Sequence, residues 1–177
     1  MKEAVGGTWL FGIVIAFIVF FTVYLSMSTN YAKALKVKDE IISTIEHYKG
    51  VSEPDDGTPG TLDTINGYLN RVGYFASGRC SNYTGSDDPR KNFSQWLAFR
   101  TGSTVPLTGS NAEGNYCIRR SKFETGADDA GHPRSAYYQV VVFFTLDWPI
   151  VGALINVRIE GETSMIPMNS DEGVTFS

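Results

Sequence analysis

The sequence predicts an α+β protein in which a long, membrane-inserted N-terminal helix packs on a small antiparallel β-sheet head. Three features of the 177 residues indicate this class. An uncharged apolar segment comes first, an amphipathic helical pattern continues from it, and segments rich in aromatic and β-branched residues lie near the C-terminus. We therefore divide the chain into a transmembrane and stalk helix, residues 1–50, and one α+β head, residues 51–177.

The first segment is long enough to cross a bilayer. No charged side chain lies between Ala4 and Ala32, and a hydrocarbon core of about 30 Å requires roughly 20 apolar residues in a helix. Trp9 lies near one end, and Tyr24 and Tyr31 lie near the other, where aromatic rings favour the level of the lipid headgroups. We therefore expect a membrane-inserted helix.

A removable signal peptide is the alternative for this segment. The apolar run is longer than a usual signal-peptide core, and the best cleavage site is the weak match Ser26-Met-Ser28.

The orientation of the helix in the membrane rests on different features. Lysines at 33–38 follow the span, but the positive-inside rule is weak for long translocated domains. Because both cysteines and many polar loops lie in the head, we expect a single-pass protein of the cell membrane with its head outside the cytoplasm.

The helix is predicted to continue beyond the membrane. Its apolar positions then recur every three or four residues, at Ala34, Val37, Ile41, Ile45 and Tyr48. This spacing is typical of a helix with one buried face. Neither glycine nor proline occurs from Ser28 to Lys49, and Gly50 is the expected stop. The pattern predicts one helix from Thr8 to Lys49, about 60 Å long at 1.5 Å per residue.

The strongest strand signal lies near the C-terminus. Residues 136–146 are rich in aromatic and β-branched residues, and both faces are apolar apart from Gln139, so we expect a central strand covered on both sides. The amphipathic half of the long helix is the expected cover for one face. The predicted helix–sheet core is Val37, Ile41, Ile45, Tyr48, Val140, Val142 and Phe144. Residues 156–166 form the predicted last strand, with a bulge at Gly161.

The region between the long helix and these strands is less regular. Residues 61–72 have apolar side chains at helical spacing, which predicts a short helix with Thr61 as its N-cap and Gly73 at its end. Residues 92–99 fit either one helical turn or a short strand. Residues 116–123 alternate loosely and are predicted as a strand. The head should therefore contain at least three antiparallel strands.

Cys80 and Cys117 are predicted to form a disulfide, because both lie in a head that we place outside the cytoplasm. Two buried free thiols are the alternative. Closing a loop of this length would stabilise the head by about 3–4 kcal/mol, mainly by restricting the unfolded chain.

Other function classes find little support in the sequence. The formal net charge of −4 and the absence of a basic run argue against nucleic-acid binding. His47 and His132 have no recognisable partner set, so we predict neither an enzyme nor a metal site, cofactor or small-molecule substrate. Three Asp-Asp pairs, at 55–56, 87–88 and 128–129, are interpreted as solvated turns, with calcium binding as the alternative.

Both ends of the chain resemble one family. Glu3 precedes the apolar helix, and the run continues unbroken into residues 31–38. Near the C-terminus, the strand at 138–146 leads through the apolar, proline-containing residues 148–155 to the polar strand 156–165. This order is similar to that of pilin-like proteins and, more narrowly, resembles the TadE-like pseudopilins of tight-adherence pilus systems.

The resemblance implies a structural or accessory subunit in assembly of a cell-surface filament, with the membrane and itself or other pilin-like subunits as partners. The helix residues expected in the membrane or filament core are Trp9, Phe11, Phe17, Phe20 and Phe21. Gly6-Gly7 follow Glu3, whereas prepilins are usually cut after a glycine that precedes the glutamate. Either cleavage after Gly7 leaves Thr8 first, or the chain is not processed in that way. The alternative function is a single-pass, membrane-anchored extracellular binding or sensor domain that does not polymerise.

Overall fold

The computed structural model describes residues 2–52, 59–80, 93–109, 112–121, 135–147 and 154–167. Within these residues the chain forms two helices and eight strands. In chain order they are α1 (Lys2–Tyr48), α2 (Thr61–Val72), β1 (Gly78–Arg79), β2 (Leu97–Phe99), β3 (Glu113–Gly114), β4 (Tyr116–Arg120), β5 (Ser135–Ala136), β6 (Tyr138–Asp147), β7 (Leu154–Glu162) and β8 (Ile166–Pro167). The fold is therefore α+β, with one long apolar N-terminal helix and small antiparallel sheets.

Helix α1 is continuous over 47 residues, which corresponds to about 70 Å. It begins at Lys2, not at Thr8 as predicted, so Gly6 and Gly7 lie inside it. A glycine inside a helix costs about 1 kcal/mol relative to alanine. That cost does not end a helix whose other residues favour it.

The C-terminal end of α1 also differs from the prediction by one residue. The left-handed residue is Lys49, with φ 58°, and not Gly50. The Lys49 N–H donates to the Glu46 carbonyl at 3.3 Å, and the Gly50 N–H donates to the Ile45 carbonyl at 3.0 Å. These two bonds form a Schellman motif, which satisfies carbonyls that the helix end leaves free.

The main sheet has four antiparallel strands in the order β2-β4-β6-β7. Strand β6 is central, as predicted, and its register with β7 runs from Gln139↔Glu162 to Asp147↔Leu154. Residues 97–99 form a strand, which decides between the two alternatives left open by the sequence. Strand β4 runs from Tyr116 to Arg120, and residues 122–123 of the predicted strand lie outside the described residues. The described part of the head also contains two short pairs, β1-β3 and β5-β8.

One face of this sheet packs on the second half of α1 and on α2. The shared core contains apolar residues from both helices, from all four strands of the main sheet and from β8. Its buried members on the helices and in the main sheet are Ala34, Val37, Ile41, Ile45, Leu62, Ile65, Leu69, Leu97, Phe99, Tyr116, Ile118, Tyr138, Val140, Val142, Phe144 and Ile159. The amphipathic half of the long helix therefore covers one face of the central strand.

Gly161 does not form the predicted bulge, because it pairs in continuous register with Val140. It marks a close approach between helix and sheet. A Cβ atom on Gly161 would lie 2.7 Å from Ile42 Cδ1 and 2.8 Å from Lys38 Cδ. Such distances are closer than van der Waals contact. Glycine therefore lets α1 lie directly on strand β7.

Helix α2 has the predicted bounds, but Thr61 is not its N-cap. Gly60 takes that position without a side-chain cap, and Thr61 is the first helical residue. The Thr61 hydroxyl donates to the Gly50 carbonyl at 2.8 Å and accepts from the Ser52 N–H at 3.2 Å. Thr61 therefore joins the start of α2 to the chain that follows α1.

Candidate membrane-insertion and subunit-packing segment

The first half of α1 exposes apolar side chains on all sides. From Thr8 to Thr29, every residue except Val23 is exposed. The five aromatic residues predicted for a membrane or filament core are among them, with exposed fractions between 50% and 73%: Trp9, Phe11, Phe17, Phe20 and Phe21. The described residues of the head leave this surface uncovered, and an apolar surface of this extent is unusual on a soluble monomer.

The dimensions of this segment match a bilayer. Thr8 to Thr29 spans about 33 Å at 1.5 Å per residue, close to the roughly 30 Å of a hydrocarbon core. Among the described helices, α1 is long and apolar enough to cross a membrane. A membrane span and a signal anchor both have this length and composition.

Two hydroxyl groups in the apolar half are bonded within the helix. The Thr22 hydroxyl donates to the Ile18 carbonyl at 2.8 Å, and the Thr29 hydroxyl donates to the Leu25 carbonyl at 2.9 Å. Unpaired polar groups are costly in hydrocarbon. These internal bonds therefore make the two threonines compatible with an apolar surrounding.

Three of the phenylalanines share one side of the helix. Phe17 and Phe20 are three residues apart, and Phe17 and Phe21 are four apart, so their side chains are neighbours. The Phe17 and Phe21 rings stack with centroids 6.2 Å apart and an interplanar angle of 15°. This side of α1 therefore presents a group of aromatic rings to a neighbour, whether that is lipid or another helix.

The head begins to cover the helix between Tyr31 and Ala34. The Tyr31 and Phe144 rings pack edge to face, with their centroids 5.9 Å apart. The Lys33 ammonium donates to the Gly73 carbonyl at 3.1 Å. From Gly7 onward, Ala34 is the first fully buried residue of α1. The apolar half thus ends where the head begins.

The other end of the stalk is also fixed to the head. Glu46 Oε1 accepts from the Ser164 N–H at 2.7 Å and from the Ser164 hydroxyl at 2.8 Å. The hydroxyl oxygens of Tyr48 and Thr64 lie 3.1 Å apart. Together with the contacts near Tyr31, these bonds hold the stalk along its whole packed length.

The structure brings most of the predicted helix–sheet core together. Its buried members are Val37, Ile41, Ile45, Val140, Val142 and Phe144. Tyr48 is half-buried at the edge, and its hydroxyl faces Thr64 instead of the core. His47 is exposed, and its ring contacts that of Tyr48. The Asp-Asp pairs and His132 lie outside the described residues.

The second face of the sheet contains the predicted disulfide. Cys80 and Cys117 are bonded, with Cα atoms 5.8 Å apart. Both are buried in a second, smaller core that also contains Trp96, Ala98, Val141 and Phe143. Because Cys117 lies in β4, the bond ties the segment after β1 to the main sheet.

A stacked arginine on this second face was not anticipated from the sequence. The Arg119 guanidinium lies 4.1 Å from the Phe93 ring centroid and 4.3 Å from that of Trp96. Its Nε donates to Gln139 Oε1 at 2.6 Å. Burial lowers the pKa of Arg119 from its ordinary value. Gln139, the polar residue within the run 138–144 of β6, was the one signal that this face holds a polar group.

The described part of the head contains a groove of about 510 Å³ beside the disulfide. Its lining residues are Ser77, Gly78, Arg79, Glu113, Phe143, Asn156 and Arg158. The acidic and basic side chains at its edge pair with each other, since Arg79 Nε lies 3.0 Å from Glu113 Oε1. Within the described residues, no group of three or more His, Cys, Asp or Glu side chains could hold a metal ion.

Comparison with protein-family models, curated proteins and solved structures finds no match for this chain. The geometry alone defines its class: a small, disulfide-bonded α+β head carried on one long helix whose free half is apolar.

Proposed function

We propose that this chain is a pilin-like structural or accessory subunit for assembly of a cell-surface filament. In this proposal the apolar half of α1 holds the subunit in the membrane before assembly. It then packs against the helices of other subunits in a filament core. The narrower assignment, to the TadE-like pseudopilins, rests on the order of features at the two ends of the chain.

One observation supports this proposal more than any other: a single helix serves two environments. Its second half contributes buried residues such as Val37 and Ile41 to the head, while its first half exposes Phe17 and Phe20. A rigid connection of this kind would position the head relative to the apolar helix, as a filament requires. A simple anchor needs no such rigidity, because a flexible linker would serve equally well.

The disulfide favours a head outside the cytoplasm. Disulfides persist in oxidising compartments and are rare in cytosolic proteins, and Cys80 and Cys117 are bonded here. An extracytoplasmic head on a membrane-inserted helix is the topology that a surface filament subunit requires.

Substitutions that keep the helix apolar can separate packing from anchoring. Leucine is as favourable in lipid as phenylalanine, so Phe17→Leu with Phe20→Leu should leave the protein in the membrane fraction. A filament core depends on the fit of side chains, so the same variant should reduce the protein recovered in filaments sheared from the cell surface. Ile15→Leu with Val19→Leu, on the opposite side of the same apolar segment, is the matched control.

Crosslinking gives an independent readout. Phe20→Cys should form dimers between copies in native membranes with a short thiol crosslinker, whereas Val105→Cys on the head should form fewer. The filament proposal is wrong if two results are found together. The leucine variant would be recovered in sheared filaments at the normal level, and Phe20→Cys would give no more dimer than Val105→Cys. The rival, a membrane-anchored binding or sensor domain that never polymerises, would then be favoured.

The intact mass of protein extracted from membranes tests processing. A mass that corresponds to a chain beginning at Thr8 would indicate cleavage after Gly7 and would favour a pilin-type subunit. A mass that corresponds to a chain beginning at Met1 would favour a permanently anchored protein.

A further inference from the structure

The two helices fix which end of the head faces the apolar half of α1. At one end of α2, the hydroxyl oxygens of Thr64 and Tyr48 lie 3.1 Å apart. At the other end, the Gly73 carbonyl accepts from Lys33 at 3.1 Å. Helix α2 is therefore antiparallel to the stalk, and its C-terminal end lies at the level of Lys33.

The central strand runs in the same direction as α2. Gly161, paired with Val140, lies against Ile42, while the Phe144 ring contacts Tyr31. As β6 proceeds from Val140 to Phe144, it thus moves toward the apolar half of the helix. The pair Asp147↔Leu154 lies three residues further on, which is about 10 Å along a strand.

These contacts define a membrane-proximal rim of the head, which consists of Arg71, Gly73, Phe75, Ser77, Thr145 and Asn156. All six are exposed. The rim is also fixed in place. The Tyr74 hydroxyl donates to the Phe143 carbonyl, and Asn156 Nδ2 donates to the Ser77 carbonyl at 2.7 Å.

Phe75 is the unusual member of this rim. It is 68% exposed, although the residues on either side, Tyr74 and Ala76, pack on the core. Val105 and Met165 on the described head are also exposed. Met165 follows Ser164, which is bonded to Glu46 at the far end of the stalk. The Val105 N–H donates to the Ser103 hydroxyl, and the Ser103 carbonyl accepts from Asn66, in the middle of α2. Phe75 therefore places an aromatic ring at the end of the head that faces the apolar helix.

Two basic residues of the helices lie at this level, and Asp147 ends β6 two residues beyond Thr145. Lys33 and Arg71 are both exposed. The nearest acidic residues on α1, Asp39 and Glu40, lie about 9 Å or more further along the helix axis from Lys33. An aromatic ring flanked by basic side chains is typical of a surface that rests on anionic lipid headgroups.

We infer that this rim is a second membrane contact, in which Phe75 enters the headgroup region of the bilayer that holds the apolar half of α1 while Lys33 and Arg71 face anionic phospholipid. The inference rests on the membrane insertion in the proposed function. It adds that the head lies on the bilayer surface in a fixed orientation before any assembly.

A depth measurement on the full chain in vesicles tests the contact. Single Phe75→Cys, Val105→Cys and Phe17→Cys variants, with the native disulfide intact, carry the same environment-sensitive fluorophore. The vesicles contain phosphatidylcholine, with or without phosphatidylglycerol, and a lipid with a nitroxide on its headgroup or its acyl chain. We expect the headgroup nitroxide to quench the label at 75 by about half, as interfacial burial predicts. The label at 105 should keep its fluorescence.

The three positions distinguish the ways in which the inference can fail. If acyl-chain nitroxide quenches the label at 17 but headgroup nitroxide affects 75 no more than 105, the helix inserts and the rim contact is wrong. Equal strong quenching at 75 and 105 would also overturn it, because the head would then have no fixed orientation. If the label at 17 is not quenched, membrane insertion fails and the rim contact fails with it.

A comparison of the two lipid mixtures tests whether the contact depends on anionic lipid. Phosphatidylglycerol should increase quenching at position 75, and Arg71→Gln in the labelled protein should remove most of that increase. Equal quenching in both lipid mixtures would contradict the role of Lys33 and Arg71.

Discussion

Gly161 on strand β7 lies directly beneath Ile42 of the long helix, so close that a Cβ atom on Gly161 would be 2.7 Å from Ile42 Cδ1. This contact sets the distance between stalk and sheet. It lies between the Tyr31–Phe144 contact at one end and the Glu46–Ser164 bonds at the other. The apolar half of α1 is therefore held by the head along an interface that a side chain at 161 would disturb.

Gly161→Val should weaken this interface. Overpacking a well-packed site typically costs 1–3 kcal/mol, and we expect a loss of about 2 kcal/mol in the free energy of unfolding. Gly161→Ala should cost about 1 kcal/mol, because the clashing atoms are the ends of flexible side chains. Denaturant unfolding of the full chain in detergent micelles, followed by near-UV circular dichroism, measures the change.

Gly67→Ala is the matched control. Gly67 lies inside α2, and a Cβ atom there would meet no other heavy atom within 4 Å. Alanine should therefore stabilise the protein by up to about 1 kcal/mol through its helix propensity. If Gly161→Ala stabilises the protein as much as Gly67→Ala does, the contact with Ile42 does not limit the interface.

The disulfide should contribute much of the stability of the head. The cysteines are 37 residues apart, and closing a loop of that length is worth about 3–4 kcal/mol in the chain-entropy model. Cys80→Ser with Cys117→Ser should lower the free energy of unfolding by about that amount. A reductant should lower the thermal midpoint of the native protein and leave that of the double variant unchanged. An unchanged midpoint for the native protein, once mass spectrometry confirms reduction, would contradict this.

Two buried tyrosines should respond in opposite ways to loss of the hydroxyl. The Tyr74 hydroxyl donates to the Phe143 carbonyl, so Tyr74→Phe should cost about 1 kcal/mol. Among the described residues, no partner satisfies the buried Tyr116 hydroxyl. Tyr116→Phe should therefore be neutral or stabilising by up to about 1 kcal/mol. Equal losses for the two variants in the same denaturant titration would show that Tyr116 has an equivalent partner.

The same tyrosines predict a loss of stability in alkali. Burial raises the pKa of both Tyr74 and Tyr116 above the ordinary value, so the folded head keeps them neutral at a pH at which the unfolded chain ionises. The unfolded chain then binds fewer protons, and stability should fall as the pH rises above about 10. Tyr116→Phe should make this fall less steep by up to about 1.4 kcal/mol per pH unit. Identical slopes for the two proteins between neutral and alkaline pH would contradict the shift at Tyr116.

Much of the fold could be predicted because its signals are local and periodic. The spacing of Val37, Ile41 and Ile45 is sufficient to identify the buried face of the stalk. The run around Val140 and Val142 is apolar on both faces, which indicates a central strand. Because the sequence has two cysteines, one intramolecular disulfide was possible.

The features that were missed depend on contacts between distant parts of the chain. Gly161 is consistent with a bulge in sequence, and only the position of Ile42 shows that it permits close packing. Thr61 has the composition of an N-cap, yet its hydroxyl is bonded to the Gly50 carbonyl. Phe75 gave no signal in the sequence, because its place at the end of the head nearest the apolar half follows from the level of α2 relative to Lys33.

Glu46 should stabilise the end of the stalk farthest from the apolar half of α1. Its Oε1 accepts two bonds from Ser164, at 2.7 and 2.8 Å, and bonds to a charged acceptor are worth about 1.5–3 kcal/mol each when buried. Because this site is exposed, we expect Glu46→Gln to cost about 1 kcal/mol or less and Glu46→Ala somewhat more. Glu40→Ala, on the exposed side of the same helix, is the control and should change stability little. Amide hydrogen exchange of residues 163–165 in the full chain should accelerate in Glu46→Ala and remain unchanged in Glu40→Ala. Equal exchange in the two variants would mean that Ser164 is held by the strand pairing around it and that Glu46 is not needed to attach the segment to the stalk.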